Sequence, residues 1–148
     1  MKEIKKDITT VTHGIIAHGV NCQGVMRSGV AKAIREKWPE VYEAYMTVKP
    51  SRDLLGAAQG INVSNDLRVY NCWTQEYYGR DGRRYASPSA VYRALRRVFD
   101  DANAMRREVY LPKIGCGLGG LDWETEVKPM VEKFEKHFGI PNVYICDI

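Results

Sequence analysis

Ile15-Ile16-Ala17-His18-Gly19-Val20-Asn21-Cys22-Gln23-Gly24-Val25-Met26-Arg27-Ser28-Gly29-Val30 runs from a β-branched apolar stretch through a glycine-bearing polar loop into an amphipathic pattern. The same order returns late in the chain. There Val109-Tyr110-Leu111 leads to Gly115-Cys116-Gly117-Leu118-Gly119-Gly120 and then to another helical pattern. Strand, glycine loop, helix turns backbone N–H groups and a helix N-terminus toward an anion. One such loop is a weak signal. Two within 148 residues point to a ligand with a pyrophosphate or several phosphates.

Working outward, strands are predicted over 2–8 and 14–19, the second running into the first loop. Ser28 is placed to cap a helix with Val30, Ala33, Ile34 and Trp38 near one face, and Pro39 stops or restarts it. Strands near 55–63 and 67–73 flank the turn formers Ser64-Asn65-Asp66 and read as a hairpin. Residues 75–86 read as a surface loop. Ser87-Pro88 then opens a helix with Val91, Leu95, Val98, Phe99 and Ala102 at a 3.6 period. A strand over 108–113 delivers the second loop. Asp122 or Thr125 caps a last helix, within which Pro129 sits awkwardly, and 142–146 forms the final strand. The order ββαββαβαβ requires crossovers, hence parallel strand pairs covered on both faces. The expected fold is α/β: one three-layer α/β/α domain over 1–148, around a mixed, mostly parallel sheet of about six strands.

Bulk composition narrows the function classes. A chain that is 45% hydrophobic supports a core of its own, and no apolar run is long enough to span a membrane. The start, Met1-Lys2-Glu3-Ile4-Lys5-Lys6-Asp7, lacks the apolar stretch of a secretory signal. Cysteines at 22, 72, 116 and 146 form no CxxC pair and show no metal-ligand spacing. The expectation is a cytoplasmic protein with neither metal nor cofactor and no membrane partner. The net charge is +4, and residues 76–107 carry eight arginines (80, 83, 84, 93, 96, 97, 106 and 107) against four acidic residues, so this segment alone matches the excess. It reads either as a solvated helix face with a basic loop or as a patch for an acidic partner.

The common phosphate-loop patterns fit poorly. Gly115, Gly117 and Gly120 satisfy GxGxxG, but only 28 residues follow, too few for a second βαβ half. A Walker A loop fails because Leu121 stands where lysine is required. The two loops taken together resemble those of macrodomains. Residues 15–31 are similar to that family's first ligand loop, and Pro112-Lys113-Ile114-Gly115-Cys116-Gly117-Leu118-Gly119-Gly120-Leu121-Asp122-Trp123 to its second. Lys6-Asp7-Ile8-Thr9 resembles the family's Gly-Asp-Ile-Thr segment, with lysine replacing glycine. The spacing His18-x-x-Asn21-x-x-Gly24 and the ending Gly120-Leu121-Asp122-Trp123 look closest to one branch. That branch holds the ADP-ribose-1″-phosphate phosphatases and the terminal ADP-ribose-protein glycohydrolases.

The resemblance implies roles residue by residue. Asp7 would accept from the adenine amino group, with the Ile8 backbone beside it. Asn21 would hold the distal ribose. Gln23, Gly24, Val25, Met26, Ser28, Gly29 and Val30 of the first loop would line the phosphates. So would Pro112, Ile114, Gly115, Cys116, Gly117, Leu118, Gly119 and Gly120 of the second. His18, Asn21 and Asp122 are the catalytic candidates, His18 as acid or base and Asn21 as orienter. Two departures bear on the chemistry. Arg27-Ser28-Gly29 replaces a triple glycine of the common hydrolase branch. The lysine and loop aspartate of the glycohydrolases are missing, the matching positions being in Cys72-Trp73-Thr74-Gln75 and at Gly119. The implied activity is release of phosphate from ADP-ribose-1″-phosphate. The alternatives are a non-catalytic reader of ADP-ribose or its polymer, or a deADP-ribosylating glycohydrolase with a different catalytic set. The implied partners are ADP-ribose or its 1″-phosphate and, through the arginines, an ADP-ribosylated protein or nucleic acid.

Overall fold

A computed structural model describes residues 1–79 and 81–147. Six strands form one sheet: β1 (Lys2–Lys5), β2 (Gly14–Asn21), β3 (Ala58–Asn62), β4 (Leu67–Gln75), β5 (Val109–Leu111) and β6 (Val143–Asp147). Their spatial order is β1-β6-β5-β2-β4-β3, and every neighbouring pair is parallel except the β3–β4 hairpin. Four helices cover it: α1 (Gly29–Lys37), α2 (Pro39–Met46), α3 (Pro88–Met105) and α4 (Lys128–Phe138). The expected mixed, mostly parallel, three-layer sheet is what forms.

Alternation along β2 sorts the layers. Ile15 and Ala17 point into the cluster shared with α3 and α4, where Leu95, Phe99, Val131 and Phe134 are buried. Ile16 points the other way, toward Ile34 of α1 and Val41 of α2. Burying a side chain such as Leu95 or Phe99 contributes roughly 1.5–3 kcal/mol, and α3 presents seven buried positions. The Ser87 hydroxyl accepts from the Ala90 amide at 3.2 Å, and Pro88 occupies the first turn, so the expected start of α3 holds.

Three boundaries differ from expectation for local reasons. The first strand stops at Lys5, because the Asp7 carboxylate accepts from the Thr9 amide (2.9 Å) and hydroxyl (2.7 Å) and folds a short 3-10 turn. The hairpin's first strand begins at Ala58 rather than 55, since Ser51 caps another such turn over Arg52–Leu54. Pro129 breaks nothing. A π turn over Trp123–Val127 precedes it, and α4 starts afresh at Lys128, placing the proline where no N–H is needed.

Candidate functional site

The parallel strands β2, β4, β5 and β6 all end on one edge of the sheet, where open α/β sheets place their ligands. A cleft of about 710 Å³ lies there, within the roughly 300–1,000 Å³ of small-molecule sites. The first loop contributes Asn21, Val25 and Arg27 through Ala31; the second contributes Pro112 through Gly119. The two stretches flagged by their glycines thus form facing walls of one cavity.

Each wall offers donors. Gly29, Val30 and Ala31 form the first turn of α1, whose amides have no partner within the helix. Ser28 stands at the N-cap as expected, but its side chain makes no capping hydrogen bond. In the second loop, Cys116 donates to Lys113 O, Gly120 to Gly117 O and Leu121 to Gly115 O. The amides of Gly117, Leu118 and Gly119 have no acceptor among the described residues. Gly115 adopts φ +78°, and a Cβ at Gly119 would lie 2.6 Å from Gly115 O and 2.9 Å from the Ala86 Cβ. A Cβ at Gly117 would meet nothing within 4 Å, so that glycine leaves space in the cleft itself. The Gly119 carbonyl accepts from both the Tyr85 and Ala86 amides, each at 2.9 Å, binding the second loop to the start of α3.

Several expected residues stand elsewhere. His18 is fully buried on the α1–α2 face and lines no part of the cleft. Its Nε2 lies 2.7 Å from Asn71 Oδ1, while the Asn71 amide donates to Val41 O (3.1 Å) and Gln59 Oε1 (3.0 Å). The Gln59 amide continues the chain to Ala44 O of α2 at 2.9 Å. Burial lowers the His18 pKa from 6.5 to about 4, the Asn71 contact opposing only in part. An imidazole with no access to the cleft exchanges no proton with a ligand there, so the acid–base assignment to His18 is withdrawn. Asp122 is likewise removed: its carboxylate caps the last helical segment through the Thr125 amide (2.9 Å) and hydroxyl (2.6 Å). Those bonds hold its pKa below the ordinary carboxylate value.

Asn21 lines the cleft, yet its side chain mainly shapes the loop. Oδ1 accepts from the Gln23 amide at 2.9 Å and the Tyr45 hydroxyl at 3.1 Å, and Nδ2 donates to Val25 O at 2.8 Å. Met26 is buried against Tyr45 and Trp73, Gln23 donates to Glu76 O, and neither these two nor Gly24 and Gly120 line the cleft. Asp7 and Ile8 lie outside the cleft lining as well; the Lys6 amide bonds Asp147 O, which sets them beside its β6 end. Cys116 lines the cleft, but burial and the nearby Asp122 and Glu126 push its thiol up to about 11, opposite to what a nucleophile needs.

Gly19 and Val20 of β2, Thr74 and Gln75 at the end of β4, Tyr78 and Gly79 beyond it, Lys113 beyond β5, and Cys146 and Asp147 of β6 complete the lining. Position at the carboxyl end of a predicted parallel strand was the signal that could have found them. Among the described lining residues Arg27 and Lys113 are the cations and Asp147 the carboxylate, so their charge balance is positive.

The buried histidine predicts a pH dependence of stability. The unfolded chain takes up a proton near pH 6.5, whereas the folded state resists it down to about pH 4. Stability from this group is full above pH 6.5 and falls with pH through that window, by about 3 kcal/mol in all. Urea unfolding at neutral pH and at about pH 4.5 should show a flatter dependence for His18→Leu than for the parent, by about 2–3 kcal/mol. Equal slopes in the two proteins would refute it.

The Macro domain family model matches residues 17–130. Proteins of Mycobacterium tuberculosis and Mycobacterium bovis called DNA ADP-ribosyl glycohydrolase are 28% identical over 125 residues. That match covers 82% of this chain and 35% of theirs, so the chain spans about a third of the length of these relatives. A macrodomain protein from Streptomyces coelicolor superposes with a TM-score of 0.78 at 28% identity, covering 99% of this chain and 98% of that one. The macrodomain of Mycobacterium tuberculosis DarG superposes with a TM-score of 0.82 at 20% identity, covering 99% and 97%, a likeness of fold.

Proposed function

The chain belongs to the Macro domain family, and from that premise we propose that it binds ADP-ribose across the cleft and hydrolyses ADP-ribose-1″-phosphate to ADP-ribose and phosphate. The observation that carries this is the pair of facing donor walls: free amides of Gly117 to Gly119 on one side and the first turn of α1 on the other. They supply the fixed dipoles a pyrophosphate requires, without side chains that would need reorganising. On this reading an adenine extending past the β6 end would be met by Asp7 and the Ile8 backbone, which the Lys6–Asp147 backbone bond holds beside that strand.

The charge distribution favours a third phosphate. Arg27 stands on the first loop, and the sole carboxylate among the described lining residues, Asp147, belongs to β6. An anionic group on the distal ribose therefore meets a cation and no opposing carboxylate. Water oxygen attacks phosphorus, the P–O1″ bond breaks, and the water's protons pass to the departing hydroxyl and the released phosphate. With His18 and Asp122 outside the cleft, the loop amides and Arg27 act by holding the phosphoryl oxygens, and the substrate's own phosphate accepts the proton.

A second reading, a glycohydrolase acting on ADP-ribosylated DNA, is favoured by the name and 28% identity of the mycobacterial relatives. Against it, the matching stretch Cys72-Trp73-Thr74-Gln75 at the end of β4 supplies no lysine, and Gly119 has no room for any side chain.

Phosphate release from ADP-ribose-1″-phosphate and ADP-ribose release from an ADP-ribosylated oligonucleotide separate the two. Arg27→Ala should lower kcat/KM for the phosphate ester by roughly 10–100-fold, with ADP-ribose affinity by calorimetry changed less than about threefold. Release of ADP-ribose but no phosphate would replace the first reading by the second. Binding without either product would leave a reader of ADP-ribose.

A further inference from the structure

One residue lining the cleft carries a polar group that the rest of the fold leaves idle. Thr74 is 1% exposed, yet its hydroxyl makes no hydrogen bond among the described residues. Buried polar groups are nearly always partnered, and an exception needs a cause. His18 Nδ1 is unpartnered and enclosed by protein; the Thr74 oxygen is not enclosed, so its free side opens on the cleft.

Two further features keep that hydroxyl uncovered. Strands β2 and β4 pair in register as far as Val20 and Trp73, but Asn21 then faces Gln75, so Thr74 is an extra residue in the ladder. Such a bulge re-aims a side chain, and bulges in parallel pairs are rare. The Thr74 carbonyl accepts from the Ser87 amide at 2.8 Å, which pins the bulged residue to the start of α3. Across on β2, a Cβ at Gly19 would lie 2.7 Å from Thr74 Oγ1. Gly19 is not in the left-handed region, so its backbone does not call for glycine. The missing side chain is what leaves the hydroxyl reachable.

Its place along the sheet edge sets what can meet it. The strands run there in the order β6, β5, β2, β4. An ADP-ribose with its adenine past β6 and its pyrophosphate between the two loops ends over β4. The lining residues at that end, Thr74, Gln75, Tyr78 and Gly79, are all uncharged. Cations of the arginine-rich segment are engaged elsewhere: Arg83 with Asp81 (3.2 Å), Arg84 with Glu126 (2.7 Å) and Arg97 with Asp101 (3.1 Å). Arg80 lies outside the described residues. A neutral hydroxyl both donates and accepts, which suits a sugar hydroxyl better than a phosphate. Asn21, expected to hold the distal ribose, has its amide engaged with Gln23, Val25 and Tyr45.

We propose that Thr74 is a specificity-determining residue, whose hydroxyl bonds a hydroxyl of the distal ribose in the space that Gly19 leaves. The assignment rests on the cleft reading given above. It adds the residue that distinguishes ADP-ribose from ADP, which ends at the second phosphate.

Calorimetry with ADP-ribose and with ADP, together with urea unfolding, tests this in the parent, T74V and T74S. T74V replaces the hydroxyl by a methyl group. It should weaken ADP-ribose binding about five- to tenfold and leave ADP affinity within about twofold. T74S keeps the oxygen and should hold ADP-ribose affinity within about threefold of the parent. Because no protein partner is lost, the T74V urea midpoint should be unchanged or higher. A lowered midpoint would overturn the proposal, since the hydroxyl would then be satisfied within the fold. Equal losses for both nucleotides would also overturn it, by placing a phosphate on Thr74. If the parent and T74V bind ADP-ribose equally, the cleft reading stands and the Thr74 assignment falls. A parent that binds neither nucleotide removes the cleft reading, and the assignment with it.

Discussion

Gly117→Val should yield a folded protein that no longer binds ADP-ribose. The Cβ of residue 117 points into open space, so the substitution meets no protein atom, and the backbone there is not in the left-handed region. The isopropyl group then occupies the volume through which a phosphate must approach the amides of Gly117, Leu118 and Gly119. Losing even one or two hydrogen bonds to a charged acceptor costs about 3 kcal/mol, roughly a hundredfold in affinity. Calorimetry should therefore detect no binding at ligand concentrations that saturate the parent, with an unchanged urea midpoint. Undiminished affinity in the folded variant would mean that the ligand does not lie against this loop. Gly119→Val is the informative contrast. Its Cβ would collide with Gly115 O and the Ala86 Cβ, so it should lower stability as well as binding.

The largest loss of stability is expected from Asn71→Leu. Asn71 is fully buried on β4, and it serves His18, the Val41 carbonyl of α2 and Gln59 at once. Leucine would strand the fully buried imidazole N–H, at about 1–3 kcal/mol, and would take one hydrogen bond each from the Val41 carbonyl and Gln59 Oε1. Denaturant unfolding should show a loss of about 3–5 kcal/mol. His18→Leu in the same chain removes one stranded partner, so the double substitution should cost less than the sum of the singles. A single-variant loss below about 1 kcal/mol would show that water or neighbouring groups satisfy the network.

These two residues mark what the sequence could and could not disclose. The glycine loops were legible because strand, turn and helix signals are local and lie within a few residues of each other. Gly117 was read as a ligand contact on that basis. His18 looked similar from the sequence, since it immediately precedes the first loop. Its side chain follows the alternation of β2, and its partner Asn71 is 53 positions away in the chain. Nothing near His18 announces that partnership. The same distance effect hid Thr74, Tyr78 and Asp147, which reach the cleft only because β4 and β6 end on the same edge of the sheet as β2. Asp122 was open to two interpretations, ligand chemistry or capping, and the Thr125 contacts decide for capping. The arginine excess of residues 76–107 was visible as a number. Which cations stay free depends on Asp81, Asp101 and Glu126 being within reach.

The Gly119 carbonyl, which holds the Tyr85 and Ala86 amides together, has a consequence for how this site can change over generations. Residues 83–86 and the second loop are read by selection as one unit. A length change or bulky replacement on either side shifts the backbone of the other, so such mutations should be epistatic rather than additive. Variation that retunes the ligand is then expected to accumulate in side chains that no shared carbonyl anchors, such as Arg27 and Tyr78, while the two backbone segments drift only in concert.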